Sequence, residues 1–174
     1  MGGIIDTVGS KSGIIGSDVY PAGHCIQVKR INKAVSSDAW QTFNFSSNAP
    51  SVVTVNSSNL EITGVSATSG NILIVTWNHG FLQTYSGNTC LTGIKIGSDL
   101  YATGMYQGGT DGSGAGRYAM VSQTSVTLGS SLSNVTISAM ASSPNQTAAS
   151  LNWYSYTTGS FNHYPSMTIM EIQQ

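Results

Sequence analysis

The sequence predicts an all-β protein, a single jelly-roll β-sandwich of about ten strands preceded by an extended N-terminal segment. Three observations lead there. Short alternating or continuous apolar runs recur along the chain, separated by Gly, Ser, Asn and Pro turn signals. No stretch sustains a 3.6-residue period for more than about two turns. Charged residues make up only 7% of the chain, against roughly 25% in an average domain. Polarity comes instead from Ser, Thr, Asn, Gln and 20 glycines, which suits β structure that meets sister subunits or glycans.

Residues 1–23 form the first unit. Gly2, Gly3, Gly9, Gly13 and Gly16 punctuate Ile4, Ile5, Val8, Ile14 and Ile15, and the segment closes at Tyr20-Pro-Ala-Gly. Glycines at that density oppose a helix, each costing about 1 kcal/mol in a helix interior. The isoleucines are too apolar for a solvated tail. An extended peptide lying in another protein's groove reconciles the two, with Ile4, Ile5, Val8, Ile14 and Ile15 as the anchor side chains. A strand folded back onto its own domain is the alternative.

Residues 24–174 form the second unit, the sandwich. Cys25–Ile31 alternates. Trp40–Phe45 also alternates, with Trp40, Thr42 and Asn44 on one face and Phe43 and Phe45 on the other. Leu60, Ile62 and Gly64 are expected to share a face. Asn71–Trp77 is a continuous β-branched run, as a strand buried on both sides requires. Further strands are expected over 91–96, 99–105, 118–128, 134–140, 148–156 and 167–172. The Gly-rich stretch 107–116 can only be a loop. Cys25 and Cys90 both sit in strand-like apolar contexts. The favoured reading is two buried thiols acting as small hydrophobes, with a disulfide between distant strands as the alternative.

Catalytic chemistry finds little support. Asp6, Asp18, Asp38, Glu61, Asp99, Asp111 and Glu171 are isolated from one another, as are His24, His79 and His163. No carboxylate pair, metal-ligand spacing or Gly-x-Ser-x-Gly elbow is present. The histidines are expected to be surface or satisfied core residues. The chain is therefore expected to be no enzyme and to take no cofactor or metal.

Net charge is −1, and Lys29, Arg30 and Lys33 are too small a cluster to track a phosphate backbone, so nucleic acid is not expected as a partner. No apolar run approaches the roughly 18–20 residues that span a bilayer, and the N-terminus lacks the basic start and apolar stretch of a secretory signal. Neither a membrane nor export is expected. Trp153, Tyr154, Tyr156, Phe161, His163 and Tyr164 crowd one strand and the loop after it. Aromatic faces beside Asn and Thr suit sugar rings or subunit interfaces, so these six are the candidate glycan or interface contacts.

The two ends carry a resemblance. Gly9-Ser-Lys-Ser-Gly-Ile-Ile-Gly-Ser, Tyr20-Pro-Ala-Gly-His and Ile26-Gln-Val resemble the start of fibre-like and head-decoration proteins of marine tailed phages. Ser143-Pro-Asn-Gln-Thr, Leu151-Asn-Trp-Tyr and Ser166-Met-Thr-Ile-Met-Glu-Ile are similar to their endings. Leu60-Glu-Ile-Thr-Gly-Val, Ser69-Gly-Asn-Ile-Leu-Ile-Val and Gly93-Ile-Lys-Ile-Gly fall between in the expected order. The resemblance implies a trimeric jelly-roll head shaped like tumour-necrosis-factor-like heads, in a structural protein of the virion. The family's long-fibre members carry shaft sequence before the head, and here only the anchor precedes it. That favours a trimeric knob held to capsid or tail proteins through residues 1–23, as a decoration or cement protein or a short fibre head. It would be assembled in the host cytoplasm and exposed on the particle. A fibre tip that binds a host receptor or surface glycan is the alternative.

Overall fold

The computed structural model describes residues 22–33, 40–44, 49–55, 58–84, 89–107, 116–142, 150–154 and 165–174. They form thirteen strands and no helix: β1 (Cys25–Asn32), β2 (Trp40–Asn44), β3 (Ser51–Val52), β4 (Thr54–Val55), β5 (Ser58–Asn59), β6 (Glu61–Ala67), β7 (Ile72–Thr84), β8 (Thr89–Ile96), β9 (Asp99–Gln107), β10 (Gly116–Thr127), β11 (Leu132–Ser142), β12 (Ser150–Tyr154) and β13 (Ser166–Ile172). The predicted runs fall on β1, β2 and β6 to β13. The two-residue strands β3, β4 and β5 are too short to leave a period in the sequence.

Every pairing is antiparallel, and the main ones are nested. β8 pairs with β9, β7 with β10, β6 with β11, and β1 with β13. A ribbon paired in this way and rolled up gives two four-stranded sheets, the jelly roll. The first runs β1–β13–β7–β10, with β12 and then β2 continuing beside the far half of β7. The second runs β6–β11–β8–β9, with β3 joining the end of β11. The innermost turn is Gly97-Ser98. Gly97 takes the first turn position at φ 59°, the Gly-X pattern of a type II′ hairpin.

Alternation along the strands builds the core. Leu73, Val75 and Trp77 of β7 and Met167 and Ile169 of β13 face Ile94 of β8, Ile137 and Ala139 of β11 and Val65 of β6, all fully buried. Each such side chain contributes roughly 1.5–3 kcal/mol through the apolar surface it removes from water.

Three expectations need correcting. β7 is not buried on both faces. Ile72, Ile74 and Thr76 are only half-buried and Asn78 is exposed, because they stand on the outer face of the first sheet. Leu60 and Ile62 point inward as expected, but Gly64 does not. Gly64 adopts φ 67° opposite Asn134 at φ 54°, in a bulge where the register between β6 and β11 slips. The extra residue inverts the phase, and Val65 and Ala67 become the inward pair. Finally, only Cys90 is buried. Cys25 is exposed at the start of edge strand β1, and both thiols are free.

Candidate functional site

The described residues concentrate chemistry at two buried clusters and present two apolar surfaces. The first cluster joins the sheets. His79 of β7 is completely buried, with its ring stacked on Trp77 at a centroid distance of 3.8 Å and an interplanar angle of 19°. Its Nε2 lies 2.6 Å from Ser122 Oγ on β10. Ser122 Oγ lies 3.1 Å from Thr92 Oγ1 on β8, which donates to the Gly104 carbonyl of β9 at 3.4 Å.

A histidine 2.6 Å from a serine has the spacing of a base beside a nucleophile. The hydroxyls of Ser122 and Thr92 can each donate or accept, and Thr92 Oγ1 also lies 3.3 Å from Thr103 Oγ1, so the row of bonds between His79 and the Gly104 carbonyl can run in either sense. Ser122 is only 2% exposed, which leaves no approach for a substrate. Burial lowers the His79 pKa from 6.5 to about 3, so the imidazole is neutral. The cluster is an inter-sheet tie.

The second cluster surrounds Glu171 of β13, a carboxylate only 2% exposed. Thr68 N–H and Asn71 Nδ2 donate to Oε1 at 2.8 and 2.7 Å, and Gln27 Nε2 donates to Oε2 at 2.6 Å. Burial pushes the carboxyl pKa up, and the bonds from Thr68, Asn71 and Gln27 outweigh it, leaving it below the ordinary value. Gln27 Nε2 also donates to the Ser66 carbonyl (2.6 Å), and Lys29 Nζ donates to the Gly64 carbonyl (2.6 Å). The polar side of β1 thus closes the sandwich by bonding β6 backbone. No group of three His, Cys, Asp or Glu arranged to hold a metal ion occurs among the described residues. Burial raises the Cys90 thiol to about 12, which keeps it protonated.

Because Gln27 and Lys29 turn inward, Ile26 and Val28 turn outward and are 38% and 58% exposed. The register places Val28 beside Met170 and Met170 beside Ile74. Ile172 pairs with Ile72 in the next row, beside Ile26. On the outer face of the second sheet, Pro50, Leu91, Gly93, Leu100, Ala102 and Met140 line an apolar depression of about 130 Å³.

Among the sequence-predicted site residues, Ile4, Ile5, Val8, Ile14, Ile15, Tyr156, Phe161, His163 and Tyr164 lie outside the described residues. Trp153 and Tyr154 are on β12. Pairing sets Tyr154 opposite both Trp40 of β2 and Phe81 of β7, a row of three aromatic positions that the local sequence cluster did not reveal. The outward Ile26 and Val28 were also missed. Their alternation with Gln27 and Lys29 is visible in the sequence, but alternation gives a period and not a direction.

No family model and no curated protein sequence matches the chain. Among solved structures it is similar to that of infectious bursal disease virus, Gx strain, at 13% identity and TM-score 0.39. It is also similar to infectious bursal virus derived T=1 particles, at 12% and 0.42, and to the infectious bursal disease virus VP2 subviral particle, at 12% and 0.40. In each case the likeness covers 92% of this chain, which spans about 40% of the length of those chains. At TM-scores below 0.5 it carries no argument about function.

Proposed function

We propose that this chain is a structural protein of a tailed-phage virion: a homotrimeric knob whose residues 1–23 anchor the sandwich to capsid or tail proteins. The observation that carries this reading is the exposed apolar end of the first sheet, at Ile26 and Val28, beside the point where the Ile/Gly-rich segment enters the fold. Gly23 N–H bonds the Gln173 carbonyl at 2.6 Å, so that segment joins the sandwich next to Ile26 and Ile172. A low-charge chain with apolar surface at its junction suits a molecule that works by being covered. The buried clusters suit that role as well, since both tie strands of the sandwich together. Three anchors on one trimer would bind by avidity.

The test is virion incorporation of the Ile14→Asp/Ile15→Asp double variant. Loss of incorporation with an unchanged thermal melt is expected, and wild-type incorporation would sink the anchor. The row of Trp40, Tyr154 and Phe81 favours a second reading, a glycan-binding head. Binding of the full chain on a glycan array, abolished by Tyr154→Ala, would support it.

A further inference from the structure

We propose that the apolar end of the outer face of the first sheet is the surface through which copies of this chain pack on one another. The proposal deepens the trimeric-knob reading and rests on it. Ile26, Val28, Met170, Ile172, Ile72 and Ile74 occupy adjoining positions on β1, β13 and β7. Among the described residues, three of the four exposed large hydrophobics (Ile26, Val28 and Val121) lie on this one face, while Leu100 lies on the other sheet. At this end Ile26 and Val28 are exposed, and Ile72, Ile74, Met170 and Ile172 are half-buried.

Charge and size select a second copy as the occupant. Among the described outward positions of β1 from Ile26 on, β13, the first half of β7 and the Val121–Thr127 part of β10, Arg30 is the one ionisable side chain, and its Nε donates to Asn32 Oδ1 at 3.0 Å. A charged partner finds little here to pair with. A matching surface must itself be apolar and hydroxyl-rich, which is the character of this face. The four strands give about fifteen outward positions that are not buried, approaching the roughly twenty a side of a standard interface.

The edge of β1 is guarded against simple strand addition. The β1–β13 register slips between Cys25 and Gln27, and Lys29 is turned inward onto the Gly64 carbonyl. Bulges and inward-pointing charges are the devices that blunt an edge. Copies therefore meet through the face, and do not extend the sheet.

The test is the molar mass of the full-length protein by light scattering across a dilution series, for wild type, Val28→Lys, Ile26→Lys and the control Leu100→Lys. The proposal expects a wild-type oligomer that both β1 variants weaken at least about tenfold in dissociation constant, with melts unchanged and Leu100→Lys without effect. Val28 and Ile26 are exposed enough for lysine to be accommodated in the folded chain. A wild-type trimer that both β1 variants leave intact overturns the surface and spares the trimeric reading. A wild-type chain that stays at 18.2 kDa at every concentration overturns both. A dimer that the β1 variants dissociate supports the surface and overturns the trimer.

Discussion

His79 and Glu171 are ionisable side chains held in their positions by opposite means. His79 is kept neutral by burial, with its pKa lowered from 6.5 to about 3. The unfolded chain takes up a proton at this residue below about pH 6.5, while the folded one does not until about pH 3. Acid therefore favours unfolding across that window, by up to about 1.4 kcal/mol per pH unit. Glu171 is held ionised by its three donors. Its contribution is complete above the ordinary carboxylate range and is lost as pH falls through its lowered folded value. Urea unfolding between pH 7 and 3 separates the two. His79→Gln should flatten the loss of stability between pH 6.5 and 5, whereas Glu171→Gln should cost about 2 kcal/mol at pH 7, with the deficit shrinking at the acid end. The thiols separate by exposure: one equivalent per folded chain should react with a disulfide reagent, and two after denaturation. Cys25→Ser should remove the native equivalent.

At the scale of elements, the periods were legible in the sequence and the directions were not. The alternation of β1 and the continuous run of β7 are strong local signals. The outward turn of Ile26 and Val28 depends on Gly64 and Ser66, about forty residues away, whose carbonyls face β1 and take bonds from Lys29 and Gln27. Hydropathy alone would have turned β1 over. Gly64 misled for a related reason, since a bulge is a property of the pair β6 and β11 and of Asn134 across it. The row of Trp40, Phe81 and Tyr154 is assembled only by register. A second irregularity gives a prediction. At Gly93, beside the register shift between β8 and β9, an added Cβ would come within 2.9 Å of the Tyr101 carbonyl oxygen. Gly93→Ala should therefore destabilise by about 1–3 kcal/mol, read from the urea midpoint, because backbone on the paired strand must shift to make room.

For the whole molecule, nesting orders the cost of folding. The β8–β9 hairpin closes a two-residue turn, whereas β1 and β13 join residues such as Val28 and Met170 from opposite ends of the chain. Loop closure is cheaper from the inside outward, so the inner hairpin should acquire amide protection before the β1–β13 pair in pulse-labelling hydrogen exchange. Simultaneous protection of both would contradict that order. The low overall charge, legible from composition, has its structural counterpart in an outer face whose described positions from Ile26 on carry one ionisable side chain, Arg30.

The bond from Gly23 to the Gln173 carbonyl has a practical side for anyone building on this scaffold. Gly23 and Gln173 meet at one corner, so a tag appended after Gln174 would start beside the proposed anchor segment. The Gly97-Ser98 turn, with Ser98 exposed, belongs to the other sheet at the most deeply nested hairpin. A displayed epitope or fluorophore belongs there, where the chain can carry cargo with both of its own ends left clear.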